Sequence, residues 1–337
     1  MKRLILSLTL LVPLATPALA SDTLTVLIWE EYISPEVVSR FEAANKVKVE
    51  QITFDEESDI VPLLNEHRSE IDLLMGNTHT LSMLQTQGRI SKLDRAALSN
   101  AARIHNRWQS DSNYVVPYMW GTMGIAWRTD KLKAAPATWA ALFELASQHP
   151  GRVALLSDPG EHLLAAHFAL GNNSDFTSAA QVEAAGKFLQ ERKHLLRYVG
   201  SDISESSPLA TDDLVAAQAW NGDIAVLHDN VQPALDYVLM DDGCMIWQDS
   251  FAISADTDSS KLAHAFLNYL NKSKVAAENA AYIGFASSNP LALLEADREY
   301  LNHPIIRPSF EGLDQCGFYR PYPAEIQAAI DKWDQSS

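Results

Sequence analysis

Between residues 24 and 75, compact apolar runs alternate with segments of helical spacing, and this alternation narrows the fold more than any other feature of the chain. Leu24-Thr25-Val26-Leu27-Ile28-Trp29 reads as a buried strand. Ser34-Pro35-Glu36 follows with an N-cap, a proline at the first helical position and an acid in the first turn. Val37, Val38, Phe41 and Ala44 continue at helical spacing. Residues 47–52 form a second strand, 60–67 a second helix and 72–75 a third strand. A β-α-β-α-β order predicts a parallel sheet with crossover helices. Sheets of this kind bind ligands beyond the carboxyl ends of their strands. Residues 29–32 and 76–79 occupy those places.

Further along, 114–127 is apolar, aromatic and nearly uncharged, and reads as strands crossing between two lobes. A helix begins at Thr138-Trp139, and strand 153–156 runs into the helix start Asp158-Pro159-Gly160-Glu161. Residues 181–193 are helical, 223–227 and 244–253 read as strands, 261–281 as one long amphipathic helix and 324–333 as the terminal helix. No internal repeat or low-complexity segment appears. The expected fold class is α/β, with two lobes joined by several crossings. One lobe takes 21–125 plus 250–300, the other 126–249 plus 301–337, with a ligand cleft between them.

Residues 1–20 carry Lys2 and Arg3, an apolar stretch from Leu4 to Leu14 and Ala18-Leu19-Ala20. This pattern is that of a cleaved secretory signal peptide. No cysteine follows the cleavage site, and no later apolar run is long enough to span a bilayer, so the mature chain is expected to be exported and not inserted in a membrane. The net charge of −17 argues against nucleic acid as a partner and favours cations near the clefts. Cys244 and Cys316 are the whole cysteine inventory. Export allows them to pair as a disulfide, and two separate buried thiols are the alternative.

Nucleotide, serine-hydrolase and zinc-protease signatures are all absent. His162 and His167 stand five apart on one helix, the wrong spacing for a shared face, so neither a metal nor any other cofactor is expected. Acid pairs are plentiful: Glu30/Glu31, Asp158/Glu161, Asp212/Asp213 and Asp241/Asp242. An exported hydrolase working through two carboxylates therefore stays open beside a binding protein.

Several segments, in order, resemble the periplasmic polyamine-binding proteins, the spermidine/putrescine receptors. They are Ile28-Trp29-Glu30-Glu31-Tyr32-Ile33-Ser34-Pro35, residues 88–93, and Val116-Pro117-Tyr118-Met119-Trp120-Gly121-Thr122-Met123-Gly124-Ile125. Thr138-Trp139, Asn221-Gly222-Asp223-Ile224, Trp247-Gln248-Asp249-Ser250 and residues 282–289 complete the set. The resemblance implies a type II-like periplasmic-binding-protein fold whose two lobes close on a ligand, without catalysis. It implies as ligand putrescine, spermidine, norspermidine or another organic cation. Residues 120–128, 151–153 and 282–289 look most like a sensor-type branch. The implied partner is thus an inner-membrane ABC permease or the periplasmic domain of a cyclic-di-GMP receptor.

Polyamine ammoniums need carboxylates to offset their desolvation, and their methylenes suit aromatic faces. The resemblance carries an aromatic box and an acid onto Trp29, Glu31 and Tyr32, an amine-pairing Trp-x-Asp onto Trp247 and Asp249, and an acidic pair onto Asp158 and Glu161. The pattern departs from the family in two places. Asn77-Thr78-His79 stands where transport-type members have Ser-x-Tyr, making Asn77 and His79 candidates. An expected tryptophan after the Gly-Asp motif is missing from Leu227-His228-Asp229-Asn230, which makes Asp229 a candidate carboxylate there.

Overall fold

The computed structural model describes residues 23–102, 104, 113–172, 176–200, 203–306, 313, 316–318 and 322–335. The expected signal peptide, 1–20, lies outside the described residues.

The opening alternation folds as expected. Strands β1 (Thr23–Trp29), β2 (Lys48–Phe54) and β3 (Leu73–Asn77) pair in parallel, with β1 in the middle. Helix α1 (Pro35–Asn45) crosses from β1 to β2, and α2 (Ile60–Glu66) from β2 to β3. Helix α3 (Thr78–Thr86) follows β3 directly. Strands β1 and β3 are buried on both faces and their apolar runs are nearly continuous, whereas β2, at the sheet edge, alternates apolar with exposed polar residues. Leu27, Ile60, Leu64, Leu74 and Leu81 pack on one side, and Val26, Ile28, Val37 and Phe41 on the other.

A second parallel set repeats the design. It comprises β5 (Val153–Leu156), β6 (Leu196–Val199) and β7 (Ala216–Trp220), with β5 in the middle. Helices α4 (Trp139–Gln148), α5 (Pro159–Ala169) and α6 (Ala179–Gln190) cover it, with a core of Ile125, Trp139, Leu142, Val153, Leu163 and Phe168. The terminal helix Ala324–Asp334 adds Ile326 and Ile330 to that core.

Two long strands join the sets, β4 (Val115–Arg128) and β9 (Cys244–Ile253), which run antiparallel to each other. One end of β9 pairs with β3, and one end of β4 pairs with β7. The sheet order is therefore β2-β1-β3-β9-β4-β7-β5-β6, one continuous sheet through both lobes. Short strand β8 (Leu235–Val238) also pairs with β4.

Two expectations need correction. Residues 223–227 are not a strand; they lie in helix α7 (Asn221–Asn230). A short apolar run such as Ile224-Ala225-Val226-Leu227 fits a buried helix as well as a strand. The strand is instead β7, just before it. Residues 261–281 are two helices, α8 (Ser260–Leu270) and α9 (Ser273–Ile283). Asn271 bonds back to Leu267 O through its side chain, and Lys272 is extended (ψ 134°). Asn289 Nδ2 donates to Asn271 O at 2.7 Å and fixes the corner.

Cys244 and Cys316 are bonded. The bond ties the short strand Cys316–Phe318 to the start of β9, in parallel register.

Candidate functional site

The carboxyl ends of β3 and β7 reach the middle of β9 and β4, where Asn77 pairs with Asp249 and Trp220 with Met123. Along β9, residues two apart share a face, so Trp247 and Asp249 project to the same side. Asp249 is 7% exposed and accepts a hydrogen bond from the Tyr32 hydroxyl at 2.9 Å. Tyr32 is held in turn by Tyr118, whose hydroxyl donates to Tyr32 O at 3.1 Å. The β1–α1 loop reaches this position through Glu31, which adopts a left-handed conformation (φ 54°).

Trp247 meets Phe285 edge-on at 4.7 Å and Trp220 edge-on at 6.2 Å between ring centroids. Trp220 ends β7, one residue before Asn221-Gly222-Asp223. Trp220 therefore places an aromatic ring before the Gly-Asp motif, beside Trp247. Two glycines make the packing feasible. A Cβ on Gly121 would lie 2.6 Å from the Trp247 ring and 2.5 Å from Asn221 Oδ1. A Cβ on Gly222 would lie 2.1 Å from the Phe285 ring.

Carboxylates enter from both lobes. Asp158 caps α5 by accepting from Glu161 N at 3.1 Å, and Pro159 begins the helix. Burial, then the charges of Asp158 and Asp223, push the Glu161 carboxyl well above its ordinary range. From the other lobe, Glu57 accepts from Asn77 N at 2.8 Å. Burial raises Glu57 to about 7, with Asp158 adding to the rise and the Asn77 and Thr80 hydrogen bonds opposing it. Burial, then the charge of Glu57, raises Asp249 to about 8, against the hydrogen bond from Tyr32. The Tyr32 hydroxyl is itself raised by burial and by Asp249, with a contribution from Asp223. The acids of the two lobes therefore sit within electrostatic reach across one cleft. A cluster of acids crowded and desolvated in this way favours either protons or a cation.

The structure brings together Tyr32, Asn77, Asp158, Glu161, Trp247 and Asp249. Asn77 faces Asp249 in the β3–β9 register and caps α3 by accepting from Thr80 N at 2.9 Å. Trp29 ends β1, half-buried against Phe54 at 4.4 Å. Glu31 is exposed, and its charge reaches Tyr282. His79 is half-buried on the first turn of α3, its imidazole held below its ordinary value by burial. Asp229 is a correction: it lies at the far end of α7 from Asp223 and pairs with His303 Nε2 at 3.2 Å. Six helical residues rise about 9 Å, so α7 presents Asp223, not Asp229, to the cleft.

Glu57, Trp220, Asp223 and Phe285 were not among the candidates. Glu57 stands just past the carboxyl end of β2, where the same strand-end rule points. The other three belong to or adjoin segments singled out by resemblance. Among the described residues, no group of His, Cys, Asp and Glu is arranged to hold a metal ion. No helix among them is long and apolar enough to cross a membrane.

Two α/β lobes sharing a sheet, with an acid- and tryptophan-lined cleft at the strand ends, define a two-lobed solute receptor. The chain belongs to the bacterial extracellular solute-binding protein family, whose model matches residues 36–307. It is 28% identical to the putrescine-binding periplasmic protein SpuD of Pseudomonas aeruginosa, over 97% of this chain and 95% of that one. It is 30% identical to the norspermidine sensor of Vibrio cholerae, over 79% of this chain and 75% of the sensor. Among solved structures, a putative spermidine/putrescine ABC transporter protein from Listeria monocytogenes superposes with a TM-score of 0.83. That match has 24% identity and covers 94% of this chain and 98% of the other, and it establishes the shared fold.

Proposed function

We propose that this protein is a periplasmic receptor that binds a polyamine between its lobes and catalyses no reaction. One observation carries the reading: Glu57 from one lobe, Asp158, Glu161 and Asp223 from the other, and Asp249 on the connecting strand β9 face one cleft beside Tyr32, Trp220 and Trp247. Several carboxylates match several ammoniums, and aromatic faces match methylenes and cationic edges. The names of the Pseudomonas and Vibrio relatives agree with this chemistry.

Lobe 1 is 21–125 plus 250–300 and lobe 2 is 126–249 plus 301–337, and the ligand favours their closed arrangement because both supply its partners. Residues 1–20 direct export and are removed. The liganded receptor is then read by an inner-membrane ABC permease or by the periplasmic domain of a cyclic-di-GMP receptor. Calorimetry on refolded, ligand-stripped protein tests the reading, with saturable one-to-one heats expected for putrescine, spermidine or norspermidine. Small-angle scattering should show a smaller radius of gyration at saturation. No binding to any of the three amines would overturn it.

A further inference from the structure

Away from the cleft, the second lobe carries a half-open cavity of about 380 Å³ between α5, α6 and the terminal helix. This is within the range of small-molecule sites. Its apolar body comes from Val182, Leu189, Tyr198 and Trp333. Trp333 lies directly on Gly186, where a Cβ would approach its ring to 2.3 Å, so the groove's shape depends on the missing side chain. In a chain with a net charge of −17, Lys187, Lys193 and Lys332 line the rim with Glu183, while Asp158 and Asp334 act on His162 from outside the lining.

His162 supplies a second, independent sign of a ligand. It is 5% exposed, and its ring sits edge-on to both Tyr198 and Trp333, 5.0 Å from each. Its Nδ1 lies 3.0 Å from Leu156 O, which can only accept, so Nδ1 carries the proton. Nε2 is then a bare acceptor, and it is buried without a hydrogen-bond partner. A buried acceptor left unpaired is costly, and a donor on a bound molecule would satisfy it.

We propose that this cavity is a second small-molecule site, for an aromatic carboxylate bearing one hydrogen-bond donor. The ring packs among Trp333, Tyr198 and Leu189, the carboxylate faces the lysines, and the donor reaches His162 Nε2. Its lining carries three lysines where the cleft carries acids, so the two favour different ligands. His162 directly follows Glu161 on α5, which places the cavity behind one wall of the cleft.

The test uses indole-3-acetate as probe, titrated by calorimetry into the full mature protein. Saturable one-to-one binding is expected, weakened at least tenfold by Trp333→Ala and by Lys332→Glu. Lys332 is an exposed helix residue, so Lys332→Glu should fold normally, and its circular dichroism checks this. Naphthalene-1-acetate, which lacks the N–H, should bind several-fold more weakly. Cleft variant Asp249→Asn should bind the probe with wild-type affinity, which separates this proposal from the polyamine reading. Absence of saturable binding, or binding indifferent to both Trp333→Ala and Lys332→Glu, would overturn the assignment.

Discussion

Replacing Asp249 by asparagine removes the most deeply placed charge of the cleft and should trade binding for stability. In the ligand-free protein, Asp249 titrates at about 8 instead of 3.8. Below about pH 4 both folded and unfolded chains hold this proton, and the group costs nothing. Between about pH 4 and 8 the folded chain keeps a proton that the unfolded chain has released. Stability is therefore lost as pH rises through that window. At about 1.4 kcal/mol per pKa unit, the full loss is about 6 kcal/mol, an upper figure because water penetration and relaxation soften it. Asparagine does not titrate. Urea unfolding of ligand-free wild type and Asp249→Asn at pH 5 and pH 9 should show a markedly smaller decline in the variant. Glu57 titrates in both proteins, so the difference between the two declines isolates Asp249. Spermidine affinity should move the other way, falling by roughly 2–5 kcal/mol as a buried ammonium loses its partner. Equal pH declines together with an unchanged dissociation constant would refute the placement of Asp249 at the centre of the site.

Spermidine binding should release protons at pH 7, because a cation favours the ionised forms of Glu57 and Asp249, which otherwise titrate at about 7 and about 8. Affinity should thus rise from pH 6 to 8. Glu57→Gln should flatten that rise, measured as dissociation constants across the series. His79→Gln should leave the pH 7 to 8.5 segment unchanged, since burial already keeps this imidazole neutral there. Gly121→Ala should cost about 1–3 kcal/mol of stability through overpacking against Trp247 and Asn221, and should weaken spermidine binding in the same titration. Reducing Cys244–Cys316, which spans 72 residues, should lower stability by about 4 kcal/mol in the chain-entropy account, read as a lower urea midpoint.

Parts of the fold were legible because their signals are local. Pro35 after Ser34, and the period of Val37, Val38 and Phe41, define α1 without help from the rest of the chain. Trp247 and Asp249 share a face by strand geometry alone. Other features depend on partners distant in sequence. The break between α8 and α9 is fixed by Asn289 bonding to Asn271 O, 18 residues away. Glu57 carries no motif, and it becomes a cleft acid only because Asn77 and Asp249 arrive beside it from β3 and β9. Asp229 looked like a carboxylate near a ligand wall because 223–227 was read as a strand. Once that run coils into α7, Asp229 lies about 9 Å along the helix from Asp223, which takes its place.

The crossing between the lobes is not a loose pair of tethers but a hydrogen-bonded ribbon, β4 against β9, in the middle of the one sheet the lobes share. A ribbon of this kind twists elastically, like a torsion bar, and resists free swinging. Its register shifts between Pro117 and Met119, and Met119 is the partner of Asp249, so the one irregularity of the β4–β9 pairing lies at the site. Trp247 and Asp249 sit on the ribbon itself, paired across it with Gly121 and Met119. On the closure proposed above, a cation docking on this ribbon would meet the acids of α5 and α7 only as the lobes approach, which would make capture and closure separable steps.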